Sequence, residues 1–259
     1  MGQSEPIEQT EGIDASIQLC TRPRVSPRLH ARCRRNRAIV TVSEDLKTER
    51  EAEPRAHRAT GASLIAIILA LVCFGAVMLL HVVRGDIDPL RQVMSEYANG
   101  SNGPIMTVVF YAFGLSSVAL AFRLRRGISR RGITRFIPLL LGLAGIGLIA
   151  AGAFEVERPL VPDTLEELIH SNASVVAFVL LITSMFMVSL MCWNDERWWT
   201  FRWPSLILSV CAAAAAMATP FTQQTGWSGA VQRLLSLTVL AWFLGTALHV
   251  RRKAFSTAQ

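Results

Sequence analysis

"GASLIAIILALVCFGAVMLLHVV", residues 61 to 83, contains no Asp, Glu, Lys or Arg. At about 1.5 Å of rise per residue, a helix of this length crosses a hydrocarbon core roughly 30 Å thick. Its apolar residues fall on every face, which rules out an amphipathic surface helix. Five further stretches read the same way, with no Asp, Glu, Lys or Arg in mid-span: 104–124, 136–154, 171–192, 204–221 and 230–250. None shows the period-two alternation of a transmembrane β-barrel. The expected fold is therefore all-α: a polytopic membrane protein built as a six-transmembrane-helix bundle. A hydrophobic content of 51%, with only 17% charged residues, supports the same class.

The connectors predict the orientation. Arg123 lies at the end of the second stretch, and Arg125, Arg126, Arg130, Arg131 and Arg135 lie between it and the third, without an acid. Arg197 and Arg202 lie in the fourth connector, and Arg251, Arg252 and Lys253 follow the sixth stretch. The intervening connectors carry Asp86, Asp88 and Glu96 against Arg91, and Glu155, Glu157, Asp163, Glu166 and Glu167 against Arg158. By the positive-inside rule both termini are cytoplasmic, in a plasma membrane, and every connector agrees. Trp193, Trp198, Trp199 and Trp203 form an aromatic belt on the inner side. The net charge of +7 thus reflects arginines at span ends, and no nucleic-acid partner is expected.

Three regions follow from this pattern: an Arg-rich cytoplasmic tail over 1–59, a membrane domain over 60–252 and a short tail over 253–259. The first tail has no apolar h-region, so the first span is expected to serve as the insertion signal. "TRPRVSPRLHARCRRNR", residues 21 to 37, has the composition of a disordered segment, or of a stretch upstream of a later native start. Cys20, Cys33, Cys73, Cys192 and Cys211 are scattered without a CxxC, which predicts neither a zinc site nor a disulfide framework.

Small residues suggest the packing. Gly142, Gly145, Gly147, Ala151 and Gly152 make the third span thin, and "CAAAAAMA" from Cys211 does the same for the fifth. Both are expected to be central; the alternative use of the third span is a homodimer seam.

Polar side chains gather on the outer side. Asp88-Pro89 reads as a helix start and Asn99-Gly100 as a stop, predicting a short helix over 89–99. Its apolar arc would be Leu90, Val93, Met94, Tyr97 and Ala98, opposite Arg91, Ser95 and Asn99, with Gln92 and Glu96 alongside. His81 ends the first span, and His170 begins the fourth one turn after Glu166. Gln232 and Arg233 lie in the first turns of the sixth span, where an arginine must snorkel or be paired, and Glu96 is the expected counter-charge. Arg91, Ser95, Glu96, Tyr97, His170, Gln232 and Arg233 are thus the candidate ligand-binding residues. No catalytic signature such as GxSxG, HExxH or a Walker loop occurs.

Four segments in order carry a family resemblance: "MSEYANG" (94–100), "GAFEVE" (152–157), "IHSNAS" (169–174) and "GAVQRLL" (229–235). Together they resemble the bacterial and archaeal integral membrane family called domain of unknown function 998, over roughly residues 61 to 250. The resemblance implies a six-helix membrane fold and no established activity. The family pattern often has an Asp after the third span, where this chain has Glu155 and Glu157.

Two function classes follow. One is a membrane protein that binds or passes a lipid or small polar solute through an outward-facing polar pocket, with membrane lipids as partners and no cofactor. The other is a lipid hydrolase in which His81, His170 and Asp163 hold a metal that activates water. Haem between His81 and His170 is a third use of the same side chains.

Overall fold

The computed structural model describes residues 61–128, 132–154, 164–222 and 225–256, all within the unit His57–Gln259. The tail over 1–59, with Cys20 and Cys33, lies outside the described residues, as do Glu155, Glu157, Arg158 and Asp163. Six helices are long and apolar enough to span a membrane. They are α1 (Gly61–Val83), α2 (Gly103–Gly127), α3 (Ile137–Ala153), α4 (Leu165–Asn194), α5 (Arg202–Thr222) and α6 (Ser228–Ser256).

Local chemistry sets the helix starts. Pro104 opens α2, where a missing N–H costs nothing. Thr164 caps α4 by accepting the Glu167 N–H at 3.3 Å, so that helix begins six residues before the predicted Ser171. Short 3-10 turns at Gly132–Phe136 and Glu196–Phe201 lead into α3 and α5. In the second, Asp195 accepts the Arg197 N–H at 3.0 Å and a forked pair from its guanidinium.

The expectation that the third and fifth spans are both central is corrected. Half of the apolar window is buried in α2, α4 and α6, against 28% in α1, 33% in α3 and 22% in α5. The even-numbered helices are the inner set. The alanines of α5 serve a one-sided contact instead: Ala212 and Ala215 are buried, while Val210 and Met217 are exposed. The glycines of α3 do bring backbones close. A Cβ on Gly145 would lie 2.6 Å from the Gly114 carbonyl oxygen of α2, and one on Gly147 would lie 3.1 Å from Ala177 Cβ of α4. Gly152 is closed off likewise by Phe110. These small residues are thus occupied within the chain, whereas a Cβ on Gly142 would meet open space.

Hydroxyls tie the helices where no water reaches. Ser116 donates to the Ala66 carbonyl of α1 and Ser117 to the Leu141 carbonyl of α3. Ser189, Ser205 and Ser209 form a cluster across α4 and α5, and Trp242 of α6 donates its indole N–H to Ser205 Oγ at 3.0 Å. At the Trp-bearing end, Arg123 is only 7% exposed; it donates to Ser63 Oγ and the Val250 carbonyl, knitting α1, α2 and α6. His249 sits at that same end beside Trp198 and Phe201, far along α6 from Arg233.

Candidate functional site: a capped chamber between the inner helices

The connector after α1 forms a cap, and its structure differs from the predicted helix over 89–99. Asp88 caps a turn, accepting the Leu90 N–H on its side chain and the Gln92 N–H on its carbonyl. Only Met94–Ala98 is helical, as a 3-10 turn, and Gly100 ends the segment with φ of 89°. The backbone of 90–94 is engaged elsewhere. The Leu90 carbonyl accepts Ala230 N–H, the Arg91 carbonyl accepts Ser228 Oγ–H, and the Gln92 carbonyl accepts an Arg233 Nη1–H. The Met94 N–H donates to Gln232 Oε1. Those three carbonyls would otherwise accept from residues 94 to 96 in an α-helix, so docking onto the start of α6 replaces the α-helix. The fit is close: a Cβ on Gly229 would stand 2.7 Å from the Pro89 carbonyl.

Arg84 fastens the other side of the cap. Its guanidinium forks onto Asp86 at 2.8 Å per bond and donates to the carbonyls of Tyr97 and Asn99. The hydrogen bonds from Arg84 hold the Asp86 carboxyl below the usual aspartate range, and the same bonds raise the Arg84 guanidinium.

Arg233 is the strut of the site. Its Nε–H donates to His81 Nε2 at 2.9 Å, Nη1 to the carbonyls of Gln92 and Gly229, and Nη2 to Tyr97 Oη at 3.1 Å. Every one of these acceptors is neutral. The predicted pairing with Glu96 is not formed: Glu96 instead accepts the Gln92 side-chain N–H at 2.7 Å and the Val93 N–H at 3.3 Å. Glu96 thus makes the backward half of a capping box, reaching the Val93 N–H from three residues along without closing a long loop.

Beneath the cap lies a cavity of about 480 Å³, within the usual range for small-molecule sites. Ser95, Glu96, Gln232, Arg233, His81 and His170 line one part of it. Phe113, Leu148, Phe178 and Leu240 line another, so the cavity is polar in one region and apolar in the next. It reaches the surface among exposed apolar side chains, with Phe74 and Met78 on α1, Val175 on α4 and Leu237 on α6.

Of the candidate residues, Ser95, Glu96, His170, Gln232 and Arg233 therefore share one cavity. Tyr97 is buried behind it, supporting Arg233. Arg91 points away, its side chain 77% exposed, 3.7 Å from Asp88. The pairing of His170 with Glu166 is also not formed. His170 is 7% exposed and bonds to the Ala151 carbonyl of α3 through Nδ1 at 2.7 Å, while Glu166 is exposed. Glu167 lines the cavity in its place, along with Ser171, Ser174 and Ser236. Glu167, Ser171 and Ser174 follow a four- then three-residue spacing, a signal that could have identified this face. A second cavity of about 230 Å³ lies against the cap, and His170 and Phe110 belong to both walls.

The metal reading finds no assembled ligand set. His81 Nδ1 bonds the Val77 carbonyl, which can only accept, so its Nδ1 carries the proton. Nε2 of the same ring takes the Arg233 N–H, leaving no lone pair for a metal or a haem iron. No group of three metal-ligating side chains occurs among the described residues, and Asp163 lies outside them.

Six apolar helices around a capped, amphipathic chamber define a multi-pass helical membrane protein. The sequence matches the family model described as "Protein of unknown function (DUF998)" over residues 64–249. The chain belongs to that family. No curated protein and no solved structure matches it.

Proposed function

We propose that this protein binds an amphiphile, a membrane lipid or a similar small amphiphilic solute, in the chamber under the cap. One observation carries the reading: a single cavity joins buried and half-buried hydrogen-bonding groups to an apolar region and meets the surface among apolar side chains of α1, α4 and α6. A soluble polar substrate needs no such apolar region, and a purely apolar one would leave the polar groups unpartnered. The arginines at the opposite end support an orientation with the cap on the outer face of a plasma membrane and both termini in the cytoplasm. An amphiphile from the outer leaflet would then enter sideways, head group toward the cap.

Native mass spectrometry of the protein released from phosphatidylcholine nanodiscs tests this. The expected result is a bound amphiphile in the wild type that is lost in Ser174→Trp and in Ser236→Phe, each of which fills the cavity. Retention that is unchanged in both folded variants, or a wild type with no bound species, overturns the reading.

A further inference from the structure

The chamber's hydrogen-bonding groups differ in what they have left to offer. Arg233 donates four of its five N–H groups within the chain, so it acts as a fixed strut with one N–H remaining. His81 has no capacity left. Gln232 gives its carbonyl oxygen to Met94 and keeps its amide N–H groups.

The spare acceptors are stronger. His170 donates through Nδ1 to a carbonyl, so Nε2 is the ring position left for a ligand, an acceptor when the ring is neutral, and no partner meets that atom among the described residues. The Glu167 backbone N–H is used by the Thr164 cap, but its carboxylate has no partner among the described residues. Glu96 accepts one N–H on each oxygen and keeps further lone pairs. Ser174 Oγ is buried with no partner among the described residues. Glu167, His170, Ser171 and Ser174 share one face of α4, and Phe178 continues it into the apolar region.

We propose that the amphiphile's head group is a protonated amine. This rests on the amphiphile-binding reading above. An ammonium brings three donors and one positive charge, matching Glu167, His170 Nε2 and Ser171, which lie within one turn of that face, with Ser174 Oγ about one turn deeper. A phosphate or carboxylate head would meet Glu96 and Glu167 in a region where apolar walls strengthen like-charge repulsion. Arg233, the one cation lining the chamber among the described residues, has already committed most of its donors.

The test is displacement of a fluorescent fatty-acyl probe from full-length protein in phosphatidylcholine nanodiscs at pH 7, where an alkyl amine is protonated. Dodecylamine, dodecyl phosphate and monododecanoylglycerol are the competitors, and the Ser174→Trp variant reports partition into the bilayer. Dodecylamine is expected to displace the probe at least tenfold better than dodecyl phosphate. Glu167→Gln, checked for fold by its unfolding midpoint, should cut that preference at least fivefold. Phosphate competing equally or better, or a preference unchanged in Glu167→Gln, overturns the amine assignment while leaving the chamber an amphiphile site. Probe binding identical in wild type and Ser174→Trp overturns the amphiphile reading itself.

Discussion

At Arg233, one guanidinium bonds a histidine ring, two carbonyls and a phenol, joining α6 to α1 and to the cap. The planar fork matters more here than the charge, because the acceptors lie in several directions around it. Arg233→Lys should therefore destabilise the protein by roughly 1–3 kcal/mol, the cost of leaving partly buried acceptors unmet. Tyr97→Phe, which removes a single bond, should cost about 1 kcal/mol. Unfolding midpoints in mixed micelles would measure both. The second residue-scale prediction concerns pH. Asp86 and Asp195 are both held below the usual aspartate range, chiefly by bonds from Arg84 and Arg197. A depressed carboxyl contributes stability that is fully present above its ordinary value of 3.8 and is lost as pH falls through the lower folded value. Protection of residues 84–100 against hydrogen exchange, corrected for the intrinsic pH dependence of amide exchange, should then be flat from neutrality down to about that ordinary value and fall below it; Asp86→Asn should show weaker protection at neutral pH.

Among the elements, α2 and α3 approach so closely that each of two glycines faces the other's backbone. A Cβ on Gly114 would lie 2.6 Å from the Gly145 oxygen, and the reverse distance is the same. Backbone cannot give way as a side chain can, so Gly145→Ala should cost about 1–3 kcal/mol through overpacking. Gly142→Ala, where the new methyl meets nothing, should be neutral or slightly stabilising. The same unfolding assay compares the two, and equal effects would show that the close approach is not limiting. The cap shows how an element can depart from its local pattern. Its 89–99 stretch has the apolar arc of an α-helix, yet Met94 and Tyr97 are buried while Leu90 is exposed. Three carbonyls of that stretch bond to α6, which stands more than 130 residues away in the chain. Periodicity in a short window carries no information about such a partner.

For the whole molecule, the alternation of six helices puts the cap and the arginine-rich connectors at opposite ends. Reporter fusions test the proposed orientation: green fluorescent protein at the C-terminus should fluoresce, and alkaline phosphatase fused there should be inactive. Active phosphatase at that position would reverse the topology and put the chamber on the cytoplasmic side. The inner helices are the even-numbered ones, and the chamber lies where their polar side chains meet α1 and the cap.

The six spans and the family were legible in the sequence because each apolar run answers to bilayer thickness, a local constraint. Five of seven candidate residues were legible as lining one cavity, since connector length and alternation put polar groups at one end. Partner choice was decided only by the tertiary structure. Glu96 turns to its own backbone, Arg233 to neutral acceptors, and Glu167 rather than Glu166 to the chamber. The physical reason is that a hydrogen bond is settled within a few ångströms. The helix rotation and cap docking that set those distances arise from packing between segments far apart in the chain.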